Sequence, residues 1–195
     1  MKINKPRVYM TLSIMVLIIL FLYNGWFFIE IWPKTKKLAI ERTEQKSTTY
    51  NKFTFKSIKK LQPKLDNETC SHIADEIDRL SKEFKISPTL ITSLIFIESG
   101  FNQMVTSKSG AIGLMQIMYS IWKKSPELKH VKTKYDLYQI NHNIRAGIGI
   151  LISFINKNKG DIEKSLYLYL GKEHKSYYND IMKTAGKIAI ETKGE

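Results

Sequence analysis

The sequence contains one cysteine, Cys70, among its 195 residues. A single cysteine excludes an internal disulfide, so the fold must be stabilised by packing. The four histidines lack the spacing of metal ligands. We therefore predict neither a metal site nor a cofactor. The histidines are His72, His130, His142 and His174.

Sustained alternation of apolar and polar residues between hairpin turns is also missing. Apolar residues recur instead at helical spacing, and capping residues precede several of these stretches. We therefore expect an all-α fold. The predicted helices begin near Asp66 or Asn67, at Ser87-Pro88, near Gly113, at about Ile140, at Asp161 and at about Ser176.

A long stretch without charge lies near the N-terminus, over residues 8–29. At ~1.5 Å per helical residue it reaches about 33 Å, which spans a hydrocarbon core. Lys2, Lys5 and Arg7 precede it, so we expect the N-terminus in the cytoplasm and the following chain outside. A cleaved signal peptide is the alternative, but the stretch is longer than usual and no small-residue cleavage site follows it.

The formal net charge of +13 is unevenly distributed. Ten cations and three anions give residues 31–66 a net charge of +7. We interpret residues 1–32 as a cytoplasmic tip and transmembrane signal-anchor, residues 33–66 as a basic juxtamembrane tether with room for a short helix, and residues 67–195 as the folded domain. Contact with anionic lipid headgroups or an acidic wall polymer is one interpretation of the tether's charge. We favour a solvated, partly disordered tether, because residues 34–64 are polar and lysine-rich with little periodicity. Nucleic acid is not an expected partner of a chain that faces outward.

Glu98 is the only acidic residue between Glu83 and Glu127. It ends an apolar helical stretch and shares a helix face with the apolar residues three, four and seven positions before it. Burial and the negative end of the helix dipole would both raise the pKa of this carboxyl. A carboxyl protonated near neutral pH is suited to general acid catalysis. The alternative is a helix-end residue that faces solvent.

A glycine-containing loop follows Glu98, with Gly110 and Gly113 three positions apart. Such glycines suit a turn or a close approach of the backbone to a ligand. Gln116 lies among apolar residues just beyond. Its amide offers donors and acceptors for a ligand amide or hydroxyl, or for the local backbone.

Together these motifs resemble the lytic transglycosylases of the soluble-lytic-transglycosylase (SLT) type, which are goose-type-lysozyme-like. The resemblance covers about residues 67–182. The last motif differs, since Leu170 stands where the family has asparagine and one residue is missing before Gly171. The matching segments are Glu98-Ser99-Gly100, Ser107-x-x-Gly110-Ala111-x-Gly113-Leu114-Met115-Gln116, Asn143-Ile144-x-x-Gly147, and Tyr169-Leu170-Gly171 with Tyr177 after it.

This resemblance implies a lysozyme-like helical domain with a saccharide cleft. It implies a membrane-anchored enzyme that cleaves the MurNAc-GlcNAc β-1,4 bond of peptidoglycan and forms 1,6-anhydro-MurNAc. Glu98 would act as the single general acid and base. Most glycosidases use two carboxylates, and here Glu127 and Asp136 are candidates for the second only if folding brings them close.

The resemblance also implies a set of substrate-binding residues. Tyr169 would hydrogen-bond or orient Glu98, although a buried core tyrosine is the alternative. Met118 would otherwise fill the core, and Asn143 would otherwise pack helices or bond backbone. The full implied set is Ser107, Gln116, Met118, Asn143 and Tyr169.

Two other functions stay open at this point. One is a hydrolytic lysozyme-type muramidase. The other is a non-catalytic peptidoglycan-binding assembly factor. In each case we expect a single-pass protein of the bacterial cytoplasmic membrane, with its domain on the periplasmic or cell-wall side. Its partners would be glycan strands, the membrane through residues 8–29, and in some settings envelope-spanning secretion or wall machinery.

Overall fold

A computed structural model describes residues 33–34, 36–37 and 52–190. The predicted membrane span over residues 8–29 lies outside these residues. Among the helices in the described part of the chain, none has the length and apolar character needed to cross a membrane.

The chain divides into two compact units. The first comprises residues 1–49, of which the described residues are helical. The second comprises residues 50–195 and is mostly helical, as predicted. Its helices are α1 (52–61), α2 (Asn67–Phe84), α3 (Pro88–Ser99), α4 (Tyr119–Trp122), α5 (Ile140–Lys157), α6 (Ile162–Leu170) and α7 (Lys175–Ile190). Short 3-10 helices cover Pro126–Leu128 and Lys134–Tyr138.

The helix starts follow the capping residues in the sequence. The Asp66 carboxylate accepts a hydrogen bond from the Thr69 N–H at 2.8 Å, and the Asp161 carboxylate accepts one from the Lys164 N–H at 3.0 Å. Ser87 caps α3, whose first residue is Pro88. These side chains satisfy backbone N–H groups that have no partner within the helix.

The predicted helix from Gly113 is wrong. The chain there forms a two-stranded antiparallel hairpin, β1 (Ala111–Ile112) and β2 (Ile117–Met118), and α4 starts only at Tyr119. Gly113 has φ 74° and Gln116 has φ 50°. These left-handed backbone angles cannot continue a right-handed helix.

Packed pairs of helices form the core. Helix α3 packs against α7 and α2, α2 packs against α5, α5 packs against α6, and α6 packs against α7. Helix α1 belongs to the same unit, because Ile58 is fully buried and joins the core cluster. The folded unit therefore includes a helix N-terminal to the start at residue 67 that the motifs indicated. This arrangement places the end of α3 beside both the hairpin and α7.

Candidate active site

Glu98 lies in the last turn of α3 and is half-buried. The helix ends one residue later, where Gly100 adopts a left-handed φ of 58° and its N–H donates to the Phe96 carbonyl at 3.0 Å. Glycine adopts this conformation without steric cost, which makes it the usual helix terminator. The carboxyl group of Glu98 is therefore held at a defined helix end.

Ser99 joins this helix end to the glycine-containing loop. Its hydroxyl is 2.8 Å from the Leu114 carbonyl oxygen and 3.1 Å from that of Ile95. The serine of the Glu98-Ser99-Gly100 motif thus has a structural role, since it keeps the loop beside Glu98.

Gly113 is required by a close approach inside that loop. A Cβ atom at this position would lie 2.3 Å from Nδ2 of Asn143 and 2.4 Å from the Leu137 carbonyl oxygen. Those separations are far below van der Waals contact, so no larger residue fits without moving the backbone.

Asn143 fixes the loop from α5. Its Nδ2 donates to the carbonyl oxygens of Ile112 at 2.9 Å and Leu137 at 2.7 Å, and its Oδ1 accepts from the Met115 N–H at 2.7 Å. Asn143 is only 1% exposed. These contacts correspond to the backbone-bonding alternative considered from the sequence.

Gly147 lies one helical turn after Asn143 and makes room for Met115. A Cβ atom on Gly147 would lie 2.4 Å from Sδ and 2.7 Å from Cβ of Met115. The Asn-Ile-x-x-Gly motif therefore positions Met115 in two ways. Asn143 accepts a hydrogen bond from its backbone N–H, and Gly147 leaves room for its side chain.

Tyr169 reaches the same loop residue from α6. Its hydroxyl donates to the Met115 carbonyl oxygen at 2.8 Å, so the expected hydrogen bond from Tyr169 to Glu98 is not the one it makes. Burial, and after it the negative charge of Glu98, raises the pKa of Tyr169 well above its usual value. Tyr169 is therefore close enough to Glu98 for the carboxylate charge to raise its pKa, while its hydroxyl is bonded to the Met115 carbonyl oxygen.

The tyrosine bonded to Glu98 is Tyr177, near the start of α7. Its hydroxyl donates a hydrogen bond to Oε1 of Glu98. Tyr177 was not among the predicted site residues. The available signal was its place as the trailing tyrosine of the last motif, but sequence spacing alone could not identify which tyrosine reaches the carboxylate.

The electrostatic setting of Glu98 is that of a partly desolvated acid. Burial raises its pKa, and the hydrogen bond from Tyr177 offsets this in part. Burial, together with the adjacent charge of Glu98, raises the pKa of Tyr177 far enough that it stays a neutral donor. Oε2 of Glu98 has no hydrogen-bond partner among the described residues.

Three predicted substrate-binding residues lie on the loop and hairpin. Gln116 is half-buried, and its Nε2 donates to the Gly113 carbonyl oxygen at 3.0 Å. The Ser107 hydroxyl accepts from the Ala111 N–H at 3.0 Å and closes the turn before β1. Met118 is half-buried at the end of β2. All three retain some exposure, unlike Asn143.

Neither candidate for a second carboxylate contributes to the pKa shift of Glu98. Oδ2 of Asp136 accepts from the Lys132 and Thr133 N–H groups at 2.8 and 2.9 Å, where it caps a 3-10 helix. Glu127 packs beside Gly149 on α5. Within the described part of the chain, no charged group contributes to the pKa shift of Glu98, and no set of three or more metal-ligating side chains is found.

Comparison with known proteins identifies a family whose match includes Glu98 and the residues around it. The model of the Transglycosylase SLT domain family matches residues 75–185, more than half of the chain. The chain belongs to this family. The match begins within α2, so α1 lies outside the SLT-domain match, whereas Glu98, the loop and both tyrosines lie within it.

Curated relatives of this SLT-domain chain carry the name endo-type membrane-bound lytic murein transglycosylase A. The protein from Enterobacter sp. (strain 638) is 30% identical over 106 residues, with 40% of this chain and 52% of the relative covered. The protein from Citrobacter koseri is 51% identical over 43 residues, covering 22% of this chain and 21% of the relative. The one from Klebsiella pneumoniae subsp. pneumoniae is 42% identical over 57 residues, covering 24% and 28%. The chain thus spans about half or less of the length of these relatives.

Proposed function

We propose that this protein is a membrane-anchored peptidoglycan lytic transglycosylase. It cleaves the β-1,4 bond between MurNAc and GlcNAc and leaves a 1,6-anhydro-MurNAc end. Membership of the SLT family and the names of the curated relatives support this assignment.

The observation that carries the mechanism is the environment of Glu98. Its carboxyl is half-buried, its pKa is raised, and one oxygen is held by Tyr177. A raised pKa keeps a carboxyl protonated at higher pH, which a general acid requires. A two-carboxylate mechanism needs a second acidic side chain beside the scissile bond, and among the described residues no second carboxylate contributes to the pKa shift of Glu98.

In the first step Glu98 acts as the acid. Because Oε1 accepts the Tyr177 hydrogen bond, the transferable proton lies on Oε2. The proton passes to the glycosidic oxygen as the bond from that oxygen to C1 of MurNAc breaks. GlcNAc leaves with a free hydroxyl, C1 of MurNAc is left with oxocarbenium character, and Glu98 becomes a carboxylate that Tyr177 stabilises.

In the second step the same carboxylate acts as the base. Glu98 accepts the proton of the C6 hydroxyl of MurNAc while O6 forms a bond to C1. Glu98 is thereby protonated again, and no water is consumed. The nucleophile is part of the substrate, so its proximity replaces a second protein carboxylate.

The saccharide is proposed to lie along the loop and hairpin. Gln116 holds its amide against Gly113 and leaves Oε1 without a described partner, which suits a sugar hydroxyl or acetamide N–H. Ser107 and Met118 are the further proposed contacts. For Asn143 and Tyr169 the proposed contribution is indirect, through their hydrogen bonds to Met115.

We also propose that residues 8–29 anchor the protein in the cytoplasmic membrane, with the catalytic unit outside. The charge-free span and the three preceding cations support this orientation. The relatives' names include the words "membrane-bound". Peptidoglycan lies outside the membrane, so an enzyme acting on it must face that way.

Product analysis tests the proposal. The full-length chain, purified in detergent, is incubated with intact peptidoglycan, and the soluble products are analysed by mass spectrometry beside Glu98→Gln. We expect 1,6-anhydro ends from the wild type only. Reducing ends in their place would assign a hydrolytic muramidase. Retention of the protein on peptidoglycan without any product would assign a binding factor.

A further inference from the structure

Helix α1, outside the family match, is tightly docked on the catalytic unit. Ile58 is fully buried. The hydroxyl of Thr54 donates to Oδ1 of Asp78 on α2 at 2.6 Å, and both side chains are buried. A buried contact of a hydroxyl with a carboxylate, combined with apolar packing, fixes the position of α1 more precisely than apolar packing alone.

The turn after α1 is also held in place. The Gln62 N–H continues the helical pattern and donates to the Ile58 carbonyl oxygen at 2.8 Å. Nζ of Lys59 donates to the carbonyl oxygens of Leu65 at 2.6 Å and Pro63 at 3.1 Å. These bonds fix the backbone of Gln62, the first residue after α1, and therefore the direction in which its side chain extends.

Gln62 points to the end of the helix that carries Glu98. Its Nε2 donates to the Gly100 carbonyl oxygen at 3.3 Å. On the other side, the Ser99 hydroxyl is bonded to the Leu114 carbonyl oxygen at 2.8 Å. The two residues that follow Glu98 are thus held by different parts of the fold, one by the loop and one by the turn after α1.

We propose that Gln62 is a positioning residue for Glu98. It holds the C-terminal cap of α3 in place, so that the Glu98 carboxyl stays aligned between Tyr177 and the glycosidic oxygen. Without this contact the Gly100 carbonyl oxygen loses its side-chain donor, and the C-terminal cap of α3 is held only by the Gly100 N–H and by Ser99. This inference rests on the proposed role of Glu98 as general acid and base.

The physical expectation is a loss of turnover without a loss of binding. Small misplacements of a reacting group lower the rate strongly, whereas they leave remote substrate contacts intact. Gln62 also borders a shallow surface cavity with Lys64 and Asn102. A rival role as a substrate contact would therefore appear in KM instead of kcat.

Three variants of the full-length chain separate the donor from other properties of residue 62. Gln62→Leu keeps the approximate size and removes the donor. Gln62→Glu keeps the shape and leaves only acceptors. Gln62→Lys keeps a donor that reaches the carbonyl of Gly100. Formation of anhydro ends from soluble, uncrosslinked glycan strands gives kcat and KM for each variant.

We expect kcat to fall about fivefold to tenfold in Gln62→Leu and Gln62→Glu, with KM within about twofold of wild type, because alignment and not binding is lost. Gln62→Lys should keep kcat within about twofold. Ile188→Val is the stability control, since it trims a buried side chain roughly 16 Å along α7 from Tyr177. It should leave kcat unchanged.

Three results would overturn the inference: wild-type kcat in Gln62→Leu, a loss confined to KM, or an equal loss of kcat in Ile188→Val. Failure of Gln62→Lys to retain activity would also count against it. Glu98→Gln is measured in parallel. If that variant remains active, the proposed function fails; if it is inactive while Gln62→Leu is fully active, only the positioning role fails.

Discussion

The hydroxyl of Tyr177 donates a hydrogen bond to Oε1 of Glu98, although 79 residues separate them in the sequence. The two residues meet because α3 packs against α7. Tyr177 is 8% exposed, so water competes weakly for this bond. The contact therefore serves both to orient the carboxylate and to stabilise its charged form.

The first prediction concerns the reacting group itself. Glu98→Gln should lower the formation of anhydro ends by about 100-fold or more, because an amide can neither donate the proton nor accept it. Gln retains an oxygen that accepts the Tyr177 hydrogen bond, so the fold should be kept. Activity within a few-fold of wild type would exclude Glu98 as the general acid.

The stability of the same variant should depend on pH with a defined sign. The folded-state pKa of Glu98 lies above the unfolded value, so the wild type loses stability as pH rises from the unfolded pKa through the folded one. Glu98→Gln lacks this loss. Thermal melting should therefore show the variant to be the more stable at neutral pH, with the difference fading below the unfolded pKa. A variant that melts lower at neutral pH would indicate a structural salt bridge or hydrogen bond instead.

Removing the tyrosine hydroxyl should move the pH profile. Tyr177→Phe deletes the hydrogen bond that lowers the pKa of Glu98, so the pKa rises further and the alkaline limb of activity shifts to higher pH. We expect activity at neutral pH to drop by about tenfold to 100-fold, since hydrogen bonds to charged groups contribute about 1.5–3 kcal/mol. Tyr178→Phe, at the adjacent and more exposed position, is the matched control. An unshifted alkaline limb in Tyr177→Phe would contradict the assignment.

Two glycines on α5 should respond oppositely to alanine. Gly147→Ala forces Met115 to move and should cost about 1–3 kcal/mol of stability together with most of the activity. At Gly149 an added Cβ would be 3.5 Å from the nearest described atom, an ordinary contact. Gly149→Ala should therefore stabilise α5 by about 1 kcal/mol through helix propensity. Chemical denaturation distinguishes them, and equal effects at both positions would show that Met115 does not need this space.

Helix α1 should contribute to the stability of the catalytic unit. Ile58→Ala creates a cavity at a fully buried position and should lower the free energy of unfolding by about 2–5 kcal/mol. Lys52→Ala, at an exposed position of the same helix, should change it little. If both variants unfold at the wild-type denaturant midpoint, α1 is not part of the cooperative unit.

The proposed membrane orientation is tested in spheroplasts. Protease added from outside should digest the catalytic unit and leave a cytosolic marker intact, because three cations precede the span and are retained inside. Protection of the unit to the same extent as the marker would show that the orientation is wrong.

Much of the local structure could be predicted from the sequence. Asp66, Ser87 and Asp161 predicted helix starts, and Gly100 predicted a helix end, because a cap depends on only a few neighbouring residues. The same local pattern placed Glu98 at a helix end, but it left open whether the side chain is buried or faces solvent. The predicted helix from Gly113 failed because apolar spacing does not reveal the backbone angles that distant contacts impose.

The sequence by itself determined the mostly helical fold, the family and the acidic residue of the candidate site, since each depends on local spacing or on a motif. Only the tertiary structure decided which side chains serve that residue. Tyr177 bonds Glu98, whereas Tyr169 and Asn143 hold Met115. It also placed Gln62 on the carbonyl of Gly100. These contacts join segments that are far apart in the chain. Helix packing brings one whole helix face against another, and this determines which of several similar side chains comes within hydrogen-bonding distance.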